Sequence, residues 1–300
     1  MKKDLEETLD PRVNAFRADL ADERLKGEVE AERYVPGDEA FVHQDRVPLF
    51  ATPSFESELM TEGLFGEGVR IFEIRDKWAW AQLMLDDYVG YMPLEALSPG
   101  YLAPTHRVCA LRTFVYSEAN IKSPPIELIS MMSQLAVLRE EEDFYELKTG
   151  GFVVKSHVCA MEMKEADFVE VAERLLGTPY LWGGRTSLGL DCSALIQVAL
   201  MASGQVERRD SDLQGHTIGE LLPNLSDLSL LRRGDLVFWS GHVGVMLDPL
   251  RLLHANAHHM QVAVEPLLTA ITRIRENGYG DITAIRRIAG YQGGGNLQGA

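Results

Sequence analysis

The chain has 300 residues, of which 46% are hydrophobic and 25% are charged. This balance is typical of a soluble globular protein, and the length is enough for two or three domains. The formal net charge of -16 disfavours nucleic acid, anionic membranes and polyanionic wall polymers as partners, whereas a small diffusible substrate that carries an amine stays compatible.

The chain begins without an apolar run that could form a signal-peptide core, and no stretch approaches the length that spans a bilayer. We therefore expect a cytoplasmic protein without a membrane partner. Its three cysteines, Cys109, Cys159 and Cys192, form no CxxC pair, so they predict neither a disulfide framework nor a zinc site. They suit a reducing compartment in which one thiol is reactive.

Most of the first 161 residues predict strands. Residues 1–33 are the exception: they are charged and weakly periodic, and they could either wrap a neighbouring domain or stay mobile. Short alternating runs broken by acidic turns then occur twice, ending at Pro93 and again at Val158. Such runs are typical of strands. Their repetition predicts two small all-β barrels in tandem, at residues 34–104 and 105–161.

Residues 162–291 show a mixed pattern. Apolar residues at helical spacing from Phe168 to Leu175, followed by the stop signal Gly-Thr-Pro, predict one helix. A second helix is expected from about residue 192 to residue 203. Strands are expected at residues 235–239, 242–247, 251–255 and 282–288. A helix group followed by an antiparallel sheet makes this an α+β domain, and the tail at residues 292–300 is expected to be disordered.

Cys192 has the placement of a catalytic nucleophile. A cysteine peptidase needs a thiolate, a base that holds it as an ion pair, and a group that orients the base. Asp191 stands where a helix N-cap belongs, so Cys192 lies in a first turn, where free N–H groups and the helix dipole lower a thiol pKa. A glycine-rich loop at residues 183–189 allows close approach of a substrate. Most cysteines are small buried residues rather than nucleophiles, and we prefer this interpretation for Cys109 and Cys159.

His242 and His254 are candidates for the base and its orienting partner. His242 opens the strand HVGVML and His254 ends the next strand, RLLHA, so the two imidazoles could lie side by side on antiparallel neighbours. A neutral His254 could then accept the N–H of His242 and fix its tautomer. His258 and His259 are expected in a solvated turn. A zinc site made of His254, His258 and His259 lacks an acidic partner and an HExxH motif.

Several motifs, in this order, resemble those of the NlpC-type cell-wall cysteine peptidases. They are GTPYLWGG at residues 177–184, DCS at 191–193, RGDL at 233–236, GHVG at 241–244 and LHA at 253–255. The resemblance covers residues 162–290. It implies a papain-like domain that needs no metal or cofactor and hydrolyses the γ-D-glutamyl to diamino acid bond of peptidoglycan peptides.

The resemblance also assigns roles to single residues. It implies that Cys192 is the nucleophile, His242 the base and His254 the orienting residue. Tyr180 matches a tyrosine whose hydroxyl lies near the nucleophile and helps the oxyanion hole. We expect Trp182, by contrast, to pack in the core of the incoming loop.

Two bacterial SH3-like barrels before the catalytic domain resemble a subgroup of this family. Members of the subgroup cleave short, released peptides with a free N-terminal L-alanine, and their first barrel closes one end of the cleft. By that resemblance Asp191, Ser193 and Ser211 bind the substrate amine, and a tyrosine of the first barrel contributes, with Tyr88 preferred to Tyr91. The implied partner is a small muropeptide stem, and the implied role is cell-wall recycling.

Three alternatives stay open at this point: a general hydrolase of the intact wall, an amidase or acyltransferase of the same fold, and a non-catalytic wall-binding protein. The intact cysteine and histidines argue against the last. The chain departs from the family pattern at Ala194, where glycine is usual, and at Asn256, where serine is common. The sequence does not predict whether diaminopimelate or lysine is the preferred diamino acid.

Overall fold

The structure is a computed structural model that describes residues 9–223 and 227–291. The tail that was expected to be disordered, residues 292–300, lies outside these ranges. The chain divides into two compact units, Met1–Leu102 and Ala103–Ala300. No helix in the described ranges is long and apolar enough to cross a membrane.

The first unit is built from strands. They are β1 (Ala21–Asp22), β2 (Tyr34–Val35), β3 (Asp38–Val42), β4 (Arg46–Phe50), β5 (Leu59–Leu64), β6 (Gly68–Arg75), β7 (Trp78–Leu83), β8 (Val89–Pro93) and β9 (Leu97–Pro99). Strands β3 to β9 form one antiparallel sheet in the order β5-β4-β8-β7-β6-β3-β9. The hairpin between β6 and β7 turns at Asp76, whose φ of 55° is typical of a two-residue turn that follows the twist of the strands.

The N-terminal segment packs on this sheet. Ala15 and Leu20 are buried against Phe72 and Trp80, and the guanidinium of Arg17 lies 4.3 Å from the centre of the Trp80 ring. The short strands β1 and β2 also pair with each other. Of the two alternatives for residues 1–33, the residues from 9 onward therefore adopt the first, because they wrap the adjacent sheet.

The second unit begins with a second all-β part. Its strands are β10 (His106–Val108), β11 (Arg112–Tyr116), β12 (Pro125–Ser130), β13 (Gln134–Leu135), β14 (Val137–Glu141), β15 (Phe144–Leu147), β16 (Phe152–Val154) and β17 (Val158–Ala160). The sequence predicted a domain boundary after residue 161, but the compact unit continues past it. One reason is Arg107, whose guanidinium donates to the carbonyls of Met163 at 2.8 Å and Ala202 at 3.1 Å.

The rest of the second unit is the predicted α+β part. Its elements are α1 (Phe168–Arg174), β18 (Arg185–Thr186), β19 (Gly189–Leu190), α2 (Cys192–Ala202), α3 (Ser211–Thr217), β20 (Glu220–Leu221), β21 (Leu236–Trp239), β22 (His242–Met246), β23 (Arg251–Asn256), β24 (Gln261–Pro266), α4 (Leu267–Glu276) and β25 (Ala284–Arg287). Six strands form an antiparallel sheet in the order β20-β25-β21-β22-β23-β24. Single 3₁₀ turns lie at Glu23–Leu25, Leu94–Ala96, Lys155–His157 and Leu228–Leu230.

Six elements of this part were not predicted from the sequence: the short strands β18, β19 and β20, and α3, β24 and α4. Strand β24 and helix α4 join without a loop, because Pro266 both ends the strand and caps the helix. The final strand was predicted at residues 282–288; it is β25 (Ala284–Arg287), which lies between β20 and β21. The missed pair, β24 and α4, forms one side of the site described next.

Candidate active site

The N-terminus of α2 positions Cys192. The carboxylate of Asp191 caps this helix by accepting the N–H of Ala194 at 2.9 Å, and every residue of the helix is buried. The thiol sulfur of Cys192 lies 4.0 Å from the carbonyl oxygen of Gly241. The predicted nucleophile therefore faces the start of β22, where His242 stands.

His242, His254 and Glu265 form a row across three adjacent strands. Ala263 pairs with His254, so Glu265 is its diagonal neighbour on the same face of the sheet. His242 stands in the same relation to His254 from β22. The Nε2 atom of His242 lies 2.8 Å from Nδ1 of His254, and Nε2 of His254 lies 2.8 Å from a carboxylate oxygen of Glu265.

Gly244 makes room for this row. A Cβ atom at Gly244 would stand 3.1 Å from the Cβ of His254 and 2.8 Å from a methyl carbon of Leu252. Side chains on neighbouring strands compete for this space, so the absence of one lets β23 approach and brings the two imidazoles together.

The hydrogen bonds fix the tautomers of both histidines. An ionised Glu265 can only accept, so His254 must carry its proton on Nε2, and burial keeps that imidazole neutral by lowering its pKa. The Nδ1 atom of His254 is then an acceptor, and His242 must donate from its own Nε2. A neutral His242 then has its free lone pair on Nδ1, and a general base needs such a lone pair to accept a proton.

Glu265 and Arg273 are the residues that the sequence analysis missed. Burial alone would raise the pKa of Glu265, but hydrogen bonds from His254 and Arg273 outweigh it and lower that pKa to about 2. Both residues lie on the elements that were not predicted, β24 and α4. The available signals were the alternation of QVAVE and the helical spacing of Leu267, Ala270 and Ile274.

The same cluster bears on the zinc site considered from the sequence. The prediction that no acidic partner is near was wrong, because ligand atoms of His254, His259 and Glu265 lie within 4.8 Å of one another. However, both ring nitrogens of His254 are engaged in hydrogen bonds, and the cation on Glu265 is the guanidinium of Arg273. The arrangement is that of a hydrogen-bond relay rather than a metal centre.

Burial opposes charge on both reacting groups. It raises the pKa of the Cys192 thiol to about 12, with the nearby Asp191 carboxylate as a further cause. It lowers the pKa of His242 to about 3, with His254 and Arg273 acting in the same direction. The sequence predicted a resting thiolate–imidazolium pair, and both pKa shifts instead favour the uncharged thiol and imidazole. Desolvation outweighs the helix terminus and the N–H of Val243, which both favour the thiolate.

Asp191 and Ser193 form a second buried cluster with Arg209. The guanidinium donates to both carboxylate oxygens of Asp191, at 2.9 and 2.7 Å, and to the hydroxyl of Ser193 at 2.8 Å. The N–H of Gly183 adds a bond of 3.0 Å to the same carboxylate. The resemblance implied that Asp191 supplies a negative charge to the substrate amine, but the structure offsets this charge with a buried arginine.

Ser211 lies two residues beyond Arg209 and opens α3. Its side chain is half-buried. The helix that carries it is held by the buried amide of Gln214, which donates to the carbonyl of Ser193 at 3.0 Å. Arg209 and Gln214 thus connect the start of α3 to the start of α2, although no hydrogen bond joins Ser211 to Asp191 among the described residues.

A cleft of about 480 Å³ opens beside His242. Tyr180 and Trp182 both line it, and burial raises the pKa of Tyr180. The expectation that Trp182 packs in a core was wrong, since 57% of its surface is exposed.

Asn256, for which the sequence offered no account, holds the turn that follows β23 by accepting the N–H of His259 at 2.9 Å.

The two tyrosines considered in the first barrel have different environments. Tyr88 is 1% exposed and belongs to the apolar core of that unit. Tyr91 is half-buried, and its hydroxyl accepts a hydrogen bond of 3.0 Å from Arg17. Tyr88 is therefore a core residue of its barrel, and its contact with substrate stays a prediction.

Two stretches of the chain match known families. Residues 177–280 match the NlpC/P60 family, and residues 49–97 match the SH3 domain of bacterial dipeptidyl-peptidases. The first match contains Cys192, His242, His254, Glu265 and Arg273, so every member of the relay lies within it.

Similar proteins extend the match over most of the chain. Dipeptidyl-peptidase 6 of Lysinibacillus sphaericus is 26% identical over 264 residues, which cover 79% of this chain and 94% of the relative. A γ-D-glutamyl-L-lysine dipeptidyl-peptidase of Bacillus subtilis (strain 168) is 25% identical over 256 residues, 77% of this chain and 82% of the relative. The crystal structure of an NlpC/P60 family protein from Bacillus cereus ATCC 10987 has a TM-score of 0.69 at 19% identity, over 83% of this chain and 99% of that chain. The predicted fold class is confirmed.

Alkylation tests the neutral pair of Cys192 and His242. A buried thiol that keeps its proton needs a base when it reacts, so His242→Ala should slow iodoacetamide labelling of Cys192 by about 10²-fold or more at neutral pH. Cys109 and Cys159 are free and half-buried, and their labelling should not change, which makes them internal controls in the same peptide map. Ultraviolet thiolate absorbance at neutral pH that disappears in Cys192→Ala would contradict the neutral pair.

Proposed function

Since this chain is a cysteine peptidase whose NlpC/P60 catalytic domain follows a bacterial SH3 domain in the sequence, we propose that it cleaves released peptidoglycan peptides. The bond that it hydrolyses joins γ-D-glutamate to the diamino acid, and the peptides carry a free N-terminal L-alanine. The observation that carries this proposal is the thiol of Cys192 at the carbonyl of Gly241, the residue directly before a histidine whose tautomer is fixed for proton acceptance. The name of the Bacillus subtilis relative, a γ-D-glutamyl-L-lysine dipeptidyl-peptidase, supports the substrate class.

In the proposed reaction the sulfur of Cys192 attacks the γ-carbonyl carbon of D-glutamate while Nδ1 of His242 takes the thiol proton. His254 receives the N–H of His242 throughout, and the ionised Glu265 stabilises the positive charge that appears on the histidines. The transfer creates the imidazolium together with the oxyanion, so the two charges form as a pair and neither is buried alone. Burial opposes a charge on either group in the free protein, and this pairing offsets that cost.

The oxyanion has two candidate donors. The N–H of Cys192 is one of the first in α2 and has no intrahelical acceptor, and the hydroxyl of Tyr180 lines the neighbouring cleft. Donors of this kind stabilise the charge that develops on the carbonyl oxygen. His242 then returns its proton to the leaving amine of the diamino acid, and water hydrolyses the thioester by the same route.

The amine of the N-terminal L-alanine would bind near Asp191, Ser193 and Ser211. Arg209 already satisfies Asp191, so a substrate without the ammonium group leaves no orphaned charge behind. The ratio of kcat/KM between the free-amine peptide and its N-acetylated form should therefore be about 10–10²-fold, the value expected from hydrogen bonds to a charged group. An unpaired buried carboxylate would give a much larger ratio.

We also place the enzyme in the cytoplasm, in recycling of wall peptides. Its cysteines are all free, as a reducing compartment favours. A preference for released peptides would spare the intact wall. A general wall hydrolase is the alternative that the substrate comparison below distinguishes.

The roles of the two histidines predict different costs. His242→Ala should lower kcat/KM on L-Ala-γ-D-Glu-L-Lys by about 10²–10⁴-fold, and His254→Ala should lower it less, because His254 only positions the base. His254→Asn should keep more activity than His254→Gln, since the side-chain oxygen of asparagine takes the place of Nδ1. Equal losses for His242→Ala and His254→Ala in folded protein would contradict the assignment.

Substrate selectivity tests the amine site. N-acetylation of the peptide should lower kcat/KM by about 10–10²-fold. Ser211→Ala should reduce this ratio without loss of stability, because its hydroxyl makes no hydrogen bond to the described residues. The exposed Ser156 of the second all-β part provides a matched control, and Ser156→Ala should leave the ratio unchanged. If the acetylated peptide is cleaved equally well by the native enzyme, the general wall hydrolase becomes the better account.

A further inference from the structure

The cleft beside His242 has a basic lining. Arg273 and His258 contribute cationic or hydrogen-bonding side chains, Asn256 and Asn277 contribute amides, and no carboxylate lines it among the described residues. Its volume of about 480 Å³ is within the usual range of small-molecule sites, roughly 300–1,000 Å³. A cavity with this lining suits an anionic group.

Arg273 keeps most of its donors unused. One Nη atom donates to Glu265, and this is its one hydrogen bond to the part of the chain that the structure describes. The Nε atom is buried without a partner there, and 18% of the side chain is exposed where it lines the cleft. Part of the guanidinium side chain faces the cleft, so donors that Glu265 does not use are available there to a ligand with carboxylate oxygens.

The position of the cleft identifies the part of the substrate that reaches it. His242 gives its proton to the leaving amine, so the diamino acid lies against His242 when the bond breaks. Gly241 and His242 line the cleft, whereas Asp191, Ser193 and Arg209 do not. The cleft thus borders the residue that faces the leaving group, and none of the residues in the cluster around Asp191 lines it.

We propose that Arg273, together with His258, binds a carboxylate of the leaving diamino acid. This inference rests on the proposed function and adds the identity of the leaving group. The carboxylate has two sources: the main-chain carboxylate of a tripeptide, and the side-chain carboxylate that diaminopimelate has and lysine lacks. The C-terminal end of α4, at Asn277, carries a partial negative charge of about half a unit, which suits the ammonium group beside that side-chain carboxylate.

Four peptides separate the two sources. They are L-Ala-γ-D-Glu-L-Lys and L-Ala-γ-D-Glu-meso-diaminopimelate, each with the main-chain carboxylate of the third residue free or amidated. In the native enzyme, the peptide with the recognised carboxylate should have a kcat/KM about 10–10²-fold higher than its counterpart. A ratio that follows diaminopimelate over lysine identifies the side-chain source, and one that follows the free over the amidated form identifies the main-chain source.

Arg273→Gln tests the assigned residue. This substitution should reduce to near one the kcat/KM ratio between the peptides that have and lack the recognised carboxylate. If Arg273 only holds Glu265, the substitution should lower kcat for all four peptides and leave the ratios unchanged. Arg275→Gln is the matched control on the same helix, because Arg275 is exposed and pairs with Asp281. Unchanged ratios in Arg273→Gln, or native ratios near one, would overturn the inference while the proposed function stands.

Binding measured without turnover separates a failure of the proposed function from a failure of the carboxylate inference. In Cys192→Ala protein, free meso-diaminopimelate should bind more tightly than lysine if the side-chain carboxylate is recognised, and methyl esterification of the main-chain carboxylate of lysine should weaken binding if that group is recognised. Either difference should disappear in the Cys192→Ala, Arg273→Gln double variant. If the native enzyme cleaves none of the four peptides, the proposed function fails, and equal binding of all these ligands would then overturn the inference as well.

Discussion

The hydrogen bonds that run from Arg273 through Glu265 and His254 to His242 determine what this site can do. Each bond fixes the proton of the next group, because an ionised carboxylate only accepts and a neutral imidazole has one donor and one acceptor. The lone pair of His242 is thereby directed away from His254. Without Glu265, His254 could adopt either tautomer, and the base would lose the constraint that prepares it for the thiol.

The backbone is arranged around this constraint. Three antiparallel strands present His242, His254 and Glu265 on one face, and Gly244 keeps the middle of that row free of a side chain. Next to Cys192 in the sequence, Asp191 forms a buried ion pair with Arg209, with side-chain exposures of 10% and 1%. Breaking a pair of this kind by removing one partner costs about 3–5 kcal/mol. In both polar clusters of the site a carboxylate is thus already paired with an arginine, Asp191 with Arg209 and Glu265 with Arg273.

The sequence predicted the parts of the site that short motifs specify. Cys192, its helix and the two histidine-bearing strands were recognisable because each has a local signal: an N-cap, a glycine-rich approach or an alternating run. Glu265 and Arg273 were missed because β24 passes directly into α4 at Pro266, with no loop between strand and helix to separate the two patterns. The helix-terminus argument for a low Cys192 pKa left out desolvation, which acts in the opposite direction and depends on the packing of β22 and β23 against the helix. Trp182 was misassigned for the same reason, since exposure is a property of the folded loop.

Nitrogen NMR of isotope-labelled histidine tests the central claim most directly. In the free protein at neutral pH, His242 and His254 should both be neutral, with the proton on Nε2 and an unprotonated Nδ1, and the two signals can be assigned by their loss in His242→Ala and His254→Asn. Glu265→Gln should remove the single-tautomer pattern of His254, since an amide can either donate or accept. A proton on Nδ1 of either residue, or an imidazolium at His242 in the free protein, would contradict the account.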